Sequence, residues 1–563
     1  NSKMKNKFIL LATLAIGFAS CEPEFENEVT ADYTSGDADF STYVAIGNSL
    51  TAGYMDGTVS RGSQMNSYPN LLAQQFSLVG GGAFEQPSYA DDVNNLGGLM
   101  LGGSPIEYLT GTNEFPARRI LDATQLNPNG TRGAVEIIVG TSTINVSALQ
   151  EKAFNNMGVP GAKSFHLLAP GYGNVAGVAL GQSNPYFVRH ATTPTATVLG
   201  DAFSKAPTFF TNWIGSNDVL AYATGGGTVA DNPATPTVDE SLSNIAAIDN
   251  FGTSNDNVSG YKKNDITSSN VFGSAYSTII NTLTSNGAKG VVCTIPSVTA
   301  IPYFTTVPYA PLSPTALGGT ANISALNAQL YGLLDGIFTA YGEADRVNLL
   351  SATSANPILI TDVDAADRSA QISGYLQTVL SYPAATAAAF GAVFGKARQA
   401  TSADLVVLPA SSVIGTTNSA APAGININGV TFPMANKWVL TANEKAKVAS
   451  ATTSFNASII AIADAKNTAA GHTVIAVADM NAVMNQLVSG IRTANGSFYT
   501  ANYFSGSATE GTVLFSLDGV HPNARGYAVI ANEIIKVINR DFKANLPFHN
   551  ETYFPGINIL GSN

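Results

Sequence analysis

The sequence predicts an α/β fold: a mainly parallel β-sheet covered on both faces by helices, with large insertions between its strands. Two observations carry this. Four near-continuous apolar runs bounded by turn residues, "YVAIG" at 43, "PTFFTNWIG" at 207, "GVVCTIP" at 290 and "TVIAVADM" at 473, suit strands buried on both faces. Longer stretches with helical spacing, "SALNAQLYGLLDGIFTAYG", "TSFNASIIAIADAKNTA" and "GYAVIANEIIKVINRDF", alternate with them, as parallel crossovers require. Of the 563 residues 45% are hydrophobic, enough for a large core, and only 12% are charged, so Ser, Thr, Asn, Gln and Gly must cover the surface.

Residues 4–21, "MKNKFILLATLAIGFASC", join a basic start to an apolar stretch from Phe8 to Phe18 and small residues before Cys21. That is the pattern of a secretion signal, too short for a comfortable membrane span. Its end, "FASC", resembles a bacterial lipobox, which implies that Cys21 is lipidated and becomes the mature N-terminus. The acidic "CEPEFENE" that follows resembles the tether of surface lipoproteins in Bacteroidota. Together they imply an extracytoplasmic protein held to a membrane by its N-terminal lipid, at the outer membrane or cell surface of a Gram-negative bacterium. Residues 22–41 read as a flexible tether.

The first strand, "YVAIG", ends at a sharp bend in Gly47, after which come Asn48 and Ser49. A serine there is either a nucleophile or an ordinary helix cap. Residues 56–155, rich in Gly and Asn, and 310–465, with its Ala-rich "TVLSYPAATAAAFGAVFGKARQA", exceed simple connections and read as insertions. The second follows the end of "GVVCTIP", and in open α/β sheets ligands bind outside the carboxyl ends of strands. It is therefore placed to cover a substrate cleft, with Tyr303 and Tyr309 at its entry and Phe390 and Phe394 within it as an apolar wall. The alternative is a self-contained helical unit remote from the site. Residues 546–563 form a C-terminal tail.

Several function classes are excluded. A net charge of −12 without clustered Lys or Arg argues against a nucleic-acid partner. The second cysteine, Cys293, lies inside a strand, and no internal disulfide can form in the mature chain if Cys21 is acylated; two cysteines without HExxH make a zinc site improbable. "GYGNVAG" at 171 follows Pro170 and has no acidic residue about 20 positions on, which argues against a dinucleotide site. "LITDVDAAD" at 359 lacks the EF-hand spacing and glycine. No GxSxG elbow is present. Neither cofactor nor metal is expected.

A serine nucleophile needs a base, and His is the usual one near neutral pH. His166, His190, His472 and His549 have no partner carboxylate at a fixed local spacing, whereas in "FSLDGVHPNARGYAVIANEII" Asp518 stands three residues before His521. Gly519 and Pro522 hold that turn, which can aim the carboxylate at Nδ1 and leave Nε2 for a nucleophile.

Four blocks then occur in one order along the chain. "GNSLTAGY" resembles the first block of the SGNH or GDSL hydrolase family, with Ser49 at the nucleophile position. "NNMGVPGAKS" resembles the second, with Gly161, or in a competing alignment Gly158, at the oxyanion-hole glycine. "WIGSNDVL" is similar to the third, GxND, which puts Asn217 as a side-chain oxyanion donor, and "DGVHPN" to the DxxHP block with Asp518 and His521. Asn48 replaces the Asp of GDSL, a residue outside the triad. The resemblance implies a flavodoxin-like three-layer α/β/α core over 42–545, carrying the two insertions, and a Ser-His-Asp esterase, lipase or acylhydrolase without cofactor. Its substrate would be a small ester or lipid, or an acylated glycan. An O-acetyl esterase of the same fold and a non-catalytic glycan- or protein-binding surface module remain open, and oligomeric state is not legible.

Overall fold

The structure, a computed structural model, describes residues 32–126, 132–137, 141–504, 512–557 and 559–560. The expected signal segment, Cys21 and residues 22–31 of the expected tether lie outside the described residues. Strands β1 (Tyr43–Gly47), β2 (Asn156–Gly158), β3 (Phe209–Trp213), β4 (Lys289–Cys293) and β5 (Ile475–Ala478) make one all-parallel sheet in the order β2-β1-β3-β4-β5. Four of them are the apolar runs. The chain moves outward from β1 to β2 and then crosses back to β3, so strand order reverses at β1. The register sets Gly47 opposite both Gly158 and Trp213, and the loops leaving β1, β2 and β3 therefore start level with one another.

The helices that serve the sheet and its site are α1 (Ser49–Ala52), α2 (Tyr68–Ser77), α3 (Asn217–Thr224), α4 (Ser269–Thr284), α5 (Ala442–Ala470), α6 (Met480–Ser489) and α7 (Ala524–Asp541). Strand residues alternate between two cores, as a period of two dictates. Val44, Ile46, Phe210 and Val292 face one, filled by Phe272 and Ile280 of α4 and Phe455 and Ile459 of α5. Tyr43, Ala45, Phe209 and Val291 face the other, filled by Leu72 and Phe76 of α2 and Tyr527 and Ile534 of α7. The result is helix, sheet, helix in three layers. Among the described residues no helix is long and apolar enough to cross a membrane.

Four of the expected segments are redrawn. The 56–155 stretch is not wholly an insertion, because α2 within it is a core helix with buried Tyr68, Leu71, Leu72 and Phe76 on one face and Pro69 in its first turn. The second insertion ends before Ala442. From there α5 runs unbroken to a left-handed Gly471, started by a capping box of Thr441 and Glu444. The helical stretch at 324–342 lies inside that insertion, beside helix Ser369–Thr378, with Tyr331 OH donating to Val430 O at 2.6 Å. The tether stops short of 41: Thr34 N donates to Asn545 O at 3.3 Å, Asn545 N to Thr34 O at 2.9 Å, and Phe40 stacks on Phe76 with centroids 3.9 Å apart. The C-terminal segment is likewise built in, since Ile559–Leu560 pairs in parallel with strand Arg119–Leu126.

Candidate active site

β1 ends where a side chain cannot fit. A Cβ on Gly47 would stand 2.2 Å from Thr51 Oγ1 and 2.7 Å from Trp213 O. The chain then enters α1, and Asn48 is the cap: its Oδ1 accepts from Leu50 N at 3.1 Å. Ser49 is thus not needed for capping, and its Oγ lies 2.8 Å from His521 Nε2.

The imidazole is held from its other side. His521 Nδ1 is 2.8 Å from Asp518 Oδ2, while Asp518 Oδ1 accepts from the backbone N–H groups of Val520 and His521, both at 2.8 Å. Burial pushes the Asp518 carboxyl upward, but the charge and hydrogen bond of His521 and these two N–H groups outweigh it and hold it down at about 2. A carboxylate so held stays ionised and fixes the proton of the ring on Nδ1, leaving Nε2 to accept. Gly519 makes the turn with φ +71, and Tyr303 N donates to its carbonyl at 2.8 Å.

A second loop, which the sequence reading passed over, braces this turn. The ring of Tyr54 lies 4.5 Å from that of His521, and Gly57 N donates to Asp518 Oδ2 at 3.2 Å. Asp56 Oδ1 accepts from Leu517 N at 3.0 Å, and Asp56 N donates to Ser516 Oγ at 3.0 Å, which in turn donates to Asp518 Oδ1 at 3.1 Å. Burial pushes the Asp56 carboxyl up to about 6. The one available signal was the Asp-Gly dipeptide of "YMDG", a turn former. Nothing local in it points 461 residues along the chain, the separation these contacts span.

The loops after β2 and β3 supply hydrogen-bond donors. Neither Ser49 N–H nor Gly161 N–H donates to another described residue. Gly161 has φ +80 and room around it, its nearest neighbour to a Cβ being Asn184 Nδ2 at 3.9 Å. Gly158 is different. Its N–H is taken by Asn156 Oδ1 at 3.0 Å, and a Cβ on it would meet Ala52 N at 2.3 Å, so it packs beneath α1. Asn217, at the start of α3, donates from Nδ2 to Ala162 O at 3.0 Å, which ties it to the Gly161 loop and leaves its second amide hydrogen. Asp218 adds a further tie, accepting from Ser164 N at 2.9 Å and Ser164 Oγ at 2.8 Å.

The other histidines stand elsewhere. His166 is half-buried and His190 buried, and desolvation holds both down at about 3. His472 is exposed beside Ala470 O, and His549 contacts Leu71 O. Among the described residues no group of His, Cys, Asp or Glu is arranged to hold a metal ion. Asp362 of "LITDVDAAD" instead pairs with Arg398 at 2.6 Å.

A pocket of about 110 Å³ opens beside the pair, with Asn48, Ser49, Ser216 and His521 in its wall and otherwise mainly apolar side chains from α6, α7 and the 296–301 loop. The expected cover does not form it: no residue of 310–465 lines this pocket. That insertion touches the histidine turn, where Leu408 Cδ2 lies 2.8 Å from the position of a Cβ on Gly519. Phe390 and Phe394 pack on each other instead, centroids 4.5 Å apart. Comparison with models of protein families, with curated proteins and with solved structures found no match.

Proposed function

We propose that the protein is a serine carboxylic-ester hydrolase of SGNH type. The observation that carries this reading is the relay itself, Ser49 Oγ to His521 Nε2 and His521 Nδ1 to Asp518 Oδ2, each at 2.8 Å. Position supports it too. The strand order, numbered along the chain, is 2-1-3-4-5, that of flavodoxin-like doubly wound sheets, and Ser49 lies at the strand-order reversal, where such sheets bind ligands.

In this reading Ser49 Oγ attacks the ester carbonyl carbon as its proton passes to His521 Nε2, and the carbonyl π electrons move to oxygen. Ser49 N–H, Gly161 N–H and the free Asn217 amide hydrogen receive that oxyanion, where fixed donors need no reorganisation. Collapse breaks the carbon–oxygen bond to the alcohol, which leaves with the proton from Nε2. Water then attacks the acyl-Ser49 carbon, giving its proton to Nε2, and the acid departs as Ser49 recovers the proton. Asp518 stays ionised throughout and stabilises the imidazolium.

A fluorophosphonate probe tests the assignment on the intact protein. Wild type is expected to be labelled at Ser49, and Ser49→Ala and His521→Ala to be unlabelled and to lose about four orders of magnitude in ester turnover. A folded wild type that neither labels nor hydrolyses any ester would leave the binding-module reading in its place.

A further inference from the structure

We infer that the pocket beside Ser49 takes the acyl half of the substrate, and that this acyl group is a linear hydrocarbon chain of about four to six carbons. The inference rests on the ester-hydrolase reading and adds the class of acid that the site retains.

Few polar side chains line the pocket: Asn48, Ser49, Ser216 and His521, of which Ser49 and His521 meet at 2.8 Å. The rest is hydrocarbon: Met480, Met484 and Leu487 fall on one face of α6, and α7 adds Val529 and Ile530. Among the described residues no Asp, Glu, Lys or Arg lines it. A sugar ring placed there would give up hydration of its hydroxyls without new partners, which is unfavourable, whereas an alkyl chain gains by leaving water.

The chemistry decides which half of an ester belongs in it. After the first step the acyl carbon is bonded to Ser49 Oγ, so its chain must lie against the nucleophile's own turn, and Asn48, Ser49 and Leu50 are pocket wall. The alcohol takes a proton from His521 and must leave to solvent, which burial in an apolar pocket would hinder. Size sets the length. An apolar cavity of about 150 Å³ holds the six carbons of benzene, so about 110 Å³ holds about four, and the open mouth admits one or two more. The two methionines are flexible fillers, able to adapt to chains that differ by a methylene.

Burial of each methylene is worth about fourfold in kcat/KM, so butyryl esters should exceed acetyl esters about 15-fold. The experiment measures kcat/KM of the full chain on p-nitrophenyl esters from acetyl to dodecanoyl, and on alkyl acetates of rising alcohol length. The expected result is a rise to butyryl or hexanoyl followed by a plateau or fall, with no rise along the alkyl acetates. Met484→Trp, which fills the pocket, is expected to bring the butyryl-to-acetyl ratio from about 15 towards one. An active wild type with a flat acyl profile, a profile still climbing at dodecanoyl, or a rise that follows the alcohol instead would overturn the inference while leaving the hydrolase reading intact. Absence of both hydrolysis and fluorophosphonate labelling would remove that reading and this inference with it. The wild-type series decides the question even if the tryptophan variant does not fold.

Discussion

Asp518→Asn changes one atom at the base of the relay, and the structure says what should follow. Five donors reach the carboxylate: Val520 N and His521 N at 2.8 Å and Ser516 Oγ at 3.1 Å on Oδ1, His521 Nδ1 at 2.8 Å and Gly57 N at 3.2 Å on Oδ2. An amide has one acceptor oxygen. Set at the Oδ1 position it keeps three of these bonds and turns its NH₂ toward the ring, which must then accept at Nδ1 and carry its proton on Nε2. Set at the Oδ2 position it keeps the ring but aims NH₂ at two backbone N–H groups, so the first arrangement wins. Nε2 then presents a donor to Ser49 and cannot take its proton. A wrong tautomer of this kind costs about four orders of magnitude in kcat. KM should move little, because Asp518 does not line the pocket. Stability supplies an independent reading. Holding the carboxyl at about 2 rather than at its ordinary 3.8 stabilises the native state by about 2 kcal/mol, fully present above the higher value and lost as pH falls through the lower. Urea unfolding should therefore show the variant less stable by about that amount at neutral pH, with the gap closing toward the acid limit. Retention of more than about a tenth of wild-type kcat would refute the tautomer argument, since that argument requires a loss near four orders of magnitude.

Other outcomes follow from the same geometry. Asn217→Ala should lower kcat by about 100- to 1000-fold through loss of one oxyanion donor, and a change confined to KM would remove that role. Asp56→Ala strips the acceptor from Leu517 N and should destabilise by about 1–3 kcal/mol, whereas Asp56→Asn keeps an acceptor. Because burial holds the Asp56 carboxyl up at about 6, wild type loses stability as pH rises from the ordinary carboxylate range through that value, and the Asn variant should gain on it between pH of about 4 and 7 in urea titrations. Equal losses in the Ala and Asn variants at all pH values would sink that account. Gly158→Ala should displace α1 and destroy both stability and turnover, its Cβ falling 2.3 Å from Ala52 N. Gly161→Ala has space and should only lower stability by about 1–2 kcal/mol in thermal unfolding, the strain of a left-handed residue. Cys21→Ala should shift the protein to the soluble fraction if acyl chains anchor it there, and a soluble, unacylated wild type would end that proposal.

The sequence by itself determines the α/β class, because a strand buried on both faces must be mainly apolar, and β1, β3, β4 and β5 are, with Thr211 and Asn212 in β3 and Lys289 at the start of β4 as the exceptions. It also singles out Asp518 and His521, since a turn of three residues is local chemistry. β2 is not legible: Asn-Met-Gly has no apolar run, and the strand is held by pairing with β1 and by Asn156 Nδ2 donating to Thr51 O at 2.9 Å. α2 is hidden for the opposite reason, a short periodic segment inside a Gly- and Asn-rich stretch. What only the tertiary structure decides is convergence across distance. Ser49 meets His521 over 472 residues, and which of five histidines it meets is settled by the level register of the strand ends and by α7 packing under the turn. Asp56 and Gly57 brace the carboxylate from the far end of the chain. The pocket is the extreme case. Each of its apolar side chains reads in the sequence as core, because burial in a core and burial against a ligand ask for the same residue. Only the folded chain shows which of them leave a space beside the serine.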